Sequence, residues 1–287
     1  MRIAVDAMGG DFAPAEIVKG CVEALDRADA EIVLVGREEA IRAEFEKLKF
    51  KPDGNIIILD AREVIDSDES PVRAVRHKRD SSIVKCINMV RDGQADAMLS
   101  AGNTGALMSA ALLYLGRIEG IERPAIVSAY PLLGRKGRFA LLVDSGANAE
   151  CKPSNLLGFA YMGSIYMSSA FGVKNPKVGL INIGTERNKG TALLKDSFML
   201  LENSAVNFIG NIEARDIPKT EADVLVCDGY TGNIVLKLTE GVAWNILKLI
   251  KEKMTESLTS KFAALPFAAK LKSLKKDFDY STYGGAP

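Results

Sequence analysis

Imidazole and thiol are scarce in this chain: one histidine and four cysteines in 287 residues. The cysteines Cys21, Cys86, Cys151 and Cys227 are far apart and form no C-x-x-C pair, which argues against a zinc site or a disulfide framework and fits a reducing compartment. No metal site is expected. An excess of either charge is also missing, with 37 Lys plus Arg against 37 Asp plus Glu, so no global field draws the molecule to nucleic acid. No apolar run approaches the roughly 18 residues that suggest a membrane span. The opening Met-Arg-Ile-Ala-Val-Asp places an acid at position 6, where a signal peptide needs its apolar core. The expectation is a cytoplasmic protein that meets membrane only at its surface. Neither G-x-x-x-x-G-K-[ST], nor G-x-G-x-x-G, nor a G-x-S-x-G elbow is present, so the common nucleotide and serine-hydrolase signatures are absent. His77 lies in Arg76-His77-Lys78-Arg79-Asp80-Ser81-Ser82, a basic turn before a serine-capped helix, and solvated charge explains it more simply than a bound phosphate.

At 47% hydrophobic and 26% charged, the composition is that of an ordinary globular protein. Short β-branched runs alternate with helical patterns almost from end to end, which predicts βαβ units and a mostly parallel, Rossmann-like sheet with flanking helices, an α/β fold. Strands are expected at Ile3–Val5, Glu31–Val35, Asn55–Leu59, Ala95–Leu99, Ala125–Ser128, Phe139–Val143, Val178–Ile183, Val206–Ile209 and Asp223–Val226. Helices are expected after Pro14 and over 37–49, 81–92, 104–115, 153–171, 190–203 and 232–260. No linker, low-complexity tract or charge block cuts the chain, so residues 1–287 are read as one domain with room for two lobes.

Polar hinges follow five of the apolar runs: Asp6–Asp11, Ser100–Gly105, Asp144–Asn148, Asn182–Arg187 and Asp228–Asn233. Ligands of parallel sheets bind beyond the carboxyl ends of the strands, which is where these hinges fall. Two of them repeat the pattern x-G-x-T-G, as Ala101-Gly102-Asn103-Thr104-Gly105 and Asp228-Gly229-Tyr230-Thr231-Gly232, each between an apolar run and a helix. Glycine and threonine serve turns and caps, but Asn103 and Asn233 add amide donors, and unpaired N–H groups at a helix N-terminus attract anions. Phosphate is the first ligand to expect. Lys189 or Lys237 can offset its charge.

Two further stretches stand out. Ile234, Leu238, Val242, Ile246, Leu249 and Ile250 recur at helical spacing over more turns than packing on one sheet requires, which predicts a homodimer through that helix. Residues 261–276 contain five lysines and no acid, beside Phe262, Leu265, Phe267, Leu271 and Leu274. From the residues alone this segment is either an interfacial helix on anionic lipid, with Lys270 and Lys275 on its basic side, or an arm of a helical hairpin packed on a partner subunit.

Asp6-Ala-Met-Gly-Gly-Asp11, Ser100–Ala106, Asn182-Ile-Gly-Thr-Glu186, Asp228–Asn233 and Asp279–Pro287 together resemble the bacterial phosphate acyltransferases of phospholipid synthesis, in that family's order and over the whole chain. The resemblance implies an isocitrate-dehydrogenase-like or phosphotransacetylase-like fold with a long C-terminal helical hairpin, whose arm spans 232–276, and a homodimer. It implies transfer of a fatty acyl group from acyl carrier protein to inorganic phosphate, with no cofactor. The acyl phosphate then passes to a membrane-bound glycerol-phosphate acyltransferase, which favours the membrane reading of Phe262, Leu265, Phe267, Lys270, Leu271 and Lys275 and places the protein peripherally on the inner face of the cell membrane. On this reading Asn103, Thr104, Lys189 and Asn233 are catalytic. Asp6, Gly9, Gly10, Asp11, Gly102, Gly105, Asn148, Asn182, Gly184, Thr185, Glu186, Asp228, Thr231 and Gly232 bind substrate. The sequence departs from the family in Arg187, where a second acid is usual, and in stopping at Pro287 before a glycine-rich, histidine-containing segment, whose loss is expected to weaken the fold. Competing readings are a ping-pong route through Cys227 or Cys151, a nicotinamide-dependent dehydrogenase on a related fold, and a membrane-surface scaffold without catalysis.

Overall fold

The computed structural model describes residues 1–27, 29–52, 54–133 and 139–256, with the backbone of 285–286. They divide into two compact units, Met1–Glu119 and Gly120–Pro287.

The first unit is built on four parallel strands, β1 (Arg2–Asp6), β2 (Glu31–Gly36), β3 (Ile56–Asp60) and β4 (Ala97–Leu99), in the order β3-β2-β1-β4. Burial of β1 and β2 on both sides explains their continuous apolar runs, since crossover helices cover a parallel sheet on two faces. On one face α1 (Ala15–Leu25) and α2 (Glu38–Lys47) bring Val18, Cys21, Ile41 and Phe45 against Val5, Ile32 and Leu34. On the other, Cys86 and Met89 of α4 (Ser82–Arg91) meet Ala4, Val33 and Val35. A seven-residue helix, α3 (Pro71–His77), and α5 (Thr104–Tyr114) pack beside α4 through Ala74, Val75, Ala106 and Ala110. Each fully buried branched side chain contributes about 1.5–3 kcal/mol relative to exposure.

The second unit carries a six-stranded sheet in the order β10-β5-β6-β9-β7-β8. Its strands are β5 (Val127–Pro131), β6 (Phe139–Val143), β7 (Lys177–Asn182), β8 (Asn207–Glu213), β9 (Val224–Val226) and β10 (Gly285–Ala286). Four of them, β6, β9, β7 and β8, run parallel, while β5 is antiparallel to β6 and β10 is antiparallel to β5. Leu156, Phe159 and Met167 of α6 (Pro153–Phe171), with Leu201 of α7 (Ala192–Glu202), cover one face over Leu141, Leu180 and Val224. The opposite face takes Val235 and Leu236 of α8 (Gly229–Thr255) and Ile217 of a short 3-10 turn.

The α/β class with mostly parallel strands and flanking helices is as expected, but the strands form two sheets of four and six. Ala95–Leu99 contracts to Ala97–Leu99, and Ala125–Ser128 shifts to Val127–Pro131, where the strand turns antiparallel. Of the basic stretch 76–82, Arg76 and His77 form the last turn of a helix opened by Pro71. Turns that run from a helix into a strand are loosely built: at Gly93, before β4, and Gly172, before β7, nothing lies within 4 Å of where a side chain would start. Of the predicted hairpin, α8 reaches Thr255. The second arm, with Phe262, Leu265, Phe267, Lys270, Leu271 and Lys275, lies outside the described residues.

Candidate active site

All five polar hinges leave the carboxyl ends of strands: β1 and β4 in the first unit, β6, β7 and β9 in the second. In the first unit the β1 and β4 hinges interlock. Asp6, almost fully buried, accepts a hydrogen bond from Ser100 Oγ at 2.7 Å and another from the Met8 N–H at 3.2 Å, while Ser100 Oγ accepts from the Gly102 N–H at 3.0 Å. A Cβ on Gly9 would stand 2.8 Å from the Gly102 nitrogen, so the two backbones meet at a distance only glycine permits. Gly10 holds φ +104° beside Ala101, and Asp11 is exposed. Asn103 caps α5, its Oδ1 accepting from the Ala106 N–H at 3.0 Å, and its Nδ2 donates to the carbonyl oxygens of Asp66 (3.1 Å) and Ser67 (3.3 Å). Its amide is therefore spent inside the protein. Thr104 is exposed at the helix N-terminus, and Gly105 presses against Pro71 of α3.

In the second unit the organising group is Asp144, which the hinge pattern contains but which sequence reasoning gave no role. Fully buried, it takes five N–H donors: Oδ1 from the backbones of Ile126 (3.0 Å), Gly146 (3.0 Å) and Ala147 (2.9 Å), Oδ2 from the Asn148 backbone (2.7 Å) and Asn148 Nδ2 (2.9 Å). An acid directly after an apolar strand and before Ser-Gly-Ala-Asn was the available signal. Asn148 also donates Nδ2 to the Pro124 carbonyl at 2.8 Å, and its own carbonyl accepts the Gly229 N–H at 2.8 Å. The α8 N-terminus thus rests on the Asp144–Asn148 loop. Asp228 caps that helix, accepting from Thr231 N–H and Thr231 Oγ1, both at 2.8 Å. Buried Gly232 touches the Asp144 carbonyl closely enough to exclude any side chain. Asn233 is exposed next to Gly146, and its amide makes no hydrogen bond among the described residues. Lys237 lies exposed two turns into α8.

The β7 hinge is a second tight turn. Asn182, buried, donates Nδ2 to the Lys189 carbonyl at 3.2 Å and accepts from the Ile183 N–H at 2.8 Å. Gly184 is buried against Lys189 and Glu186, and Thr185 is exposed. The ammonium of Lys189 stands 3.8 Å from Glu186 Oε1, too loose a pair at this exposure to hold the lysine. Arg187 turns away, pairing with Glu202 at 2.5 Å and lying over the Phe198 ring at 5.6 Å. The extra positive charge at that position is neutralised on α7.

The thiols are poor nucleophiles. Burial, then the negative charges of Asp144 and Asp228, pushes Cys151 up to about 11, and burial pushes fully buried Cys227 well above the ordinary range. Neither is a thiolate at neutral pH.

The whole chain, residues 1–287, matches the family model described as "Fatty acid synthesis protein". A phosphate acyltransferase of Clostridium tetani is 50% identical over 287 residues, covering 100% of this chain and 85% of that one. A phosphotransacetylase structure from Streptococcus pyogenes superposes with TM-score 0.63 at 19% identity, covering 85% of this chain and 82% of that chain. A branched-chain phosphotransacylase from Enterococcus faecalis gives TM-score 0.58 at 15% identity over 83% of each. Identities this low make the structural likeness one of fold.

Proposed function

The chain belongs to the fatty acid synthesis protein family together with the phosphate acyltransferases, and from that membership we propose that it moves a fatty acyl group from the thioester of acyl carrier protein to inorganic phosphate. It is an acyltransferase. A phosphate oxygen attacks the thioester carbonyl, a C–O bond forms, and the tetrahedral oxyanion collapses with cleavage of the C–S bond. Acyl phosphate leaves, and the carrier sulfur departs as thiolate and takes a proton from water. Phosphate is already a nucleophile at neutral pH, so the protein has to supply position and donors for the oxyanion.

The observation that carries this reading is the α8 N-terminus: capped by Asp228, seated on Asp144 through Gly232, and left with the Asn233 amide unengaged. In the second unit Asn233 donates to the substrate and Lys189 offsets phosphate charge; in the first unit Thr104 donates from the α5 N-terminus. Asn103 acts through the helix it caps. Asp6, Gly9, Gly10, Asp11, Gly102, Gly105, Asn148, Asn182, Gly184, Thr185, Glu186, Thr231 and Gly232 shape the hinges that receive substrate. The exposed apolar side chains Ile234, Leu238, Val242, Ile246 and Leu249 of α8 support a homodimer. The lysine-rich stretch 261–276 supports docking on anionic lipid, where a membrane-bound glycerol-phosphate acyltransferase takes the product. The deciding experiment is mass spectrometry of purified protein supplied with acyl-acyl carrier protein and phosphate. Acyl phosphate forming only when phosphate is present is the expected result. An acylated cysteine peptide, or absorbance change at the reduced-nicotinamide band, overturns it.

A further inference from the structure

We propose that Asn211, which belongs to none of the hinge motifs, is a positioning residue that sets Lys189 toward phosphate; this rests on the reading of Lys189 as phosphate's counter-charge. The argument begins with a defect in the sheet. Strand β8 pairs with β7 as Val178↔Phe208 and then Leu180↔Asn211, so β8 carries one more residue than β7 across the same interval. Gly210, at φ +100°, accommodates the excess. A one-residue bulge turns every later side chain to the other face, and here it brings Asn211 inward, 7% exposed. Asn211 Nδ2 then donates to the Glu186 carbonyl at 2.9 Å, the same oxygen that accepts the Lys189 N–H at 3.1 Å. The Lys189 carbonyl in turn accepts from buried Asn182 Nδ2. The turn bearing Lys189 is thus suspended between two buried amides, one at each end.

The second observation is independent of the first. Asn211 Oδ1 is buried without a partner among the described residues. An unsatisfied buried oxygen costs stability, and in a strand a β-branched side chain would fill the place without that cost. An amide kept there, with a bulge to aim it, is explained by its donor to Glu186.

The test uses the purified full chain, an acyl-acyl carrier protein thioester and varied inorganic phosphate. Asn211→Val is expected to raise the phosphate KM about tenfold, as loss of one well-placed hydrogen bond does, with the thioester KM unchanged. Its thermal midpoint should hold or rise, because the orphaned oxygen is gone; Asn211→Ala gives the same kinetic result should valine not be accommodated. In a Lys189→Ala background Asn211→Val should change the phosphate KM less than about twofold, since the two act as a unit. An unchanged phosphate KM in Asn211→Val beside an impaired Lys189→Ala overturns this inference alone. A fall in thermal midpoint with both KM values moving together, or additive effects in the double variant, makes Asn211 a fold residue and also overturns it. A normal phosphate KM in Lys189→Ala brings down the reading of Lys189 itself.

Discussion

At the scale of single residues, two glycines on one helix make opposite demands. A side chain on Gly232 would be driven into the Asp144 carbonyl and toward Cys227 Sγ, whereas nothing lies within 4 Å of the corresponding point on Gly241. Gly232→Ala should therefore destabilise the protein by about 1–3 kcal/mol or more, the range for overpacking against fixed backbone. Gly241→Ala should stabilise it by up to about 1 kcal/mol, the difference in helix propensity. Scanning calorimetry separates the two, and midpoints moving in the same direction would contradict the packing of α8 on the Asp144 loop. The cysteines carry a second prediction. Burial pushes Cys21, like Cys151, up to about 11 from an ordinary value of 9.0. A folded-state value above the unfolded one means that these thiols lend stability in full below about pH 9.0, lost as pH rises through about 11. Alkaline unfolding should accordingly be shallower in Cys21→Ala. Cys151→Ala and Cys227→Ala should keep most of the turnover, because no step uses a cysteine of this chain.

Elements carry the next level of argument, and α8 is the most telling of them. Its 27 residues span about 40 Å at the usual rise per residue, and among the described residues the sheet grips it through its first turns. Leu238 is 64% exposed and Leu249 56%, with Ile234, Val242 and Ile246 open on the same helix. Leu238→Glu combined with Leu249→Glu should leave helix content intact and halve the mass measured by light scattering; a wild-type monomer at micromolar concentration removes the basis for the dimer. Elements with strong local punctuation were legible from the residues. Helix α6 runs over 153–171 as expected, opened by Pro153 and closed by Gly172 at φ +68°, and β6 matches at both ends. Helix α3 was missed because seven residues are too few to display a period. The β8 bulge was missed for a different reason: the expected strand Val206–Ile209 stops short of Gly210, whose place inside the observed strand was the available mark. Asn211 went unseen with it. Hinges could be located as turns after strands, but the split between Asn103, used up as a cap, and Asn233, left open, depends on what each amide meets in three dimensions.

The whole molecule has no net charge, so the proposed docking on anionic lipid has to draw on a local excess of charge. Among the described residues no helix is long and apolar enough to cross a bilayer. Residues 261–276 gather five lysines without an acid, each worth about 1 kcal/mol near an anionic surface. Co-sedimentation with anionic vesicles should be lost in the double variant Leu265→Glu, Phe267→Glu, and should weaken at high salt as screening shortens the reach of the lysines. Binding that survives both changes refutes the assignment. The two units share one further trait, seen in their turns. Glycines that follow strands, such as Gly9 and Gly232, are hemmed in by neighbouring backbone, while Gly93 and Gly172, which precede strands, border open space. Each unit therefore has a rim where the chain is committed and a rim where it can be rewritten. A peptide tag or a new pair of termini introduced beside Gly93 or Gly172, with the glycine kept for its φ of +68°, has room to be carried without touching the hinges, and those turns are the places to attach a reporter of turnover.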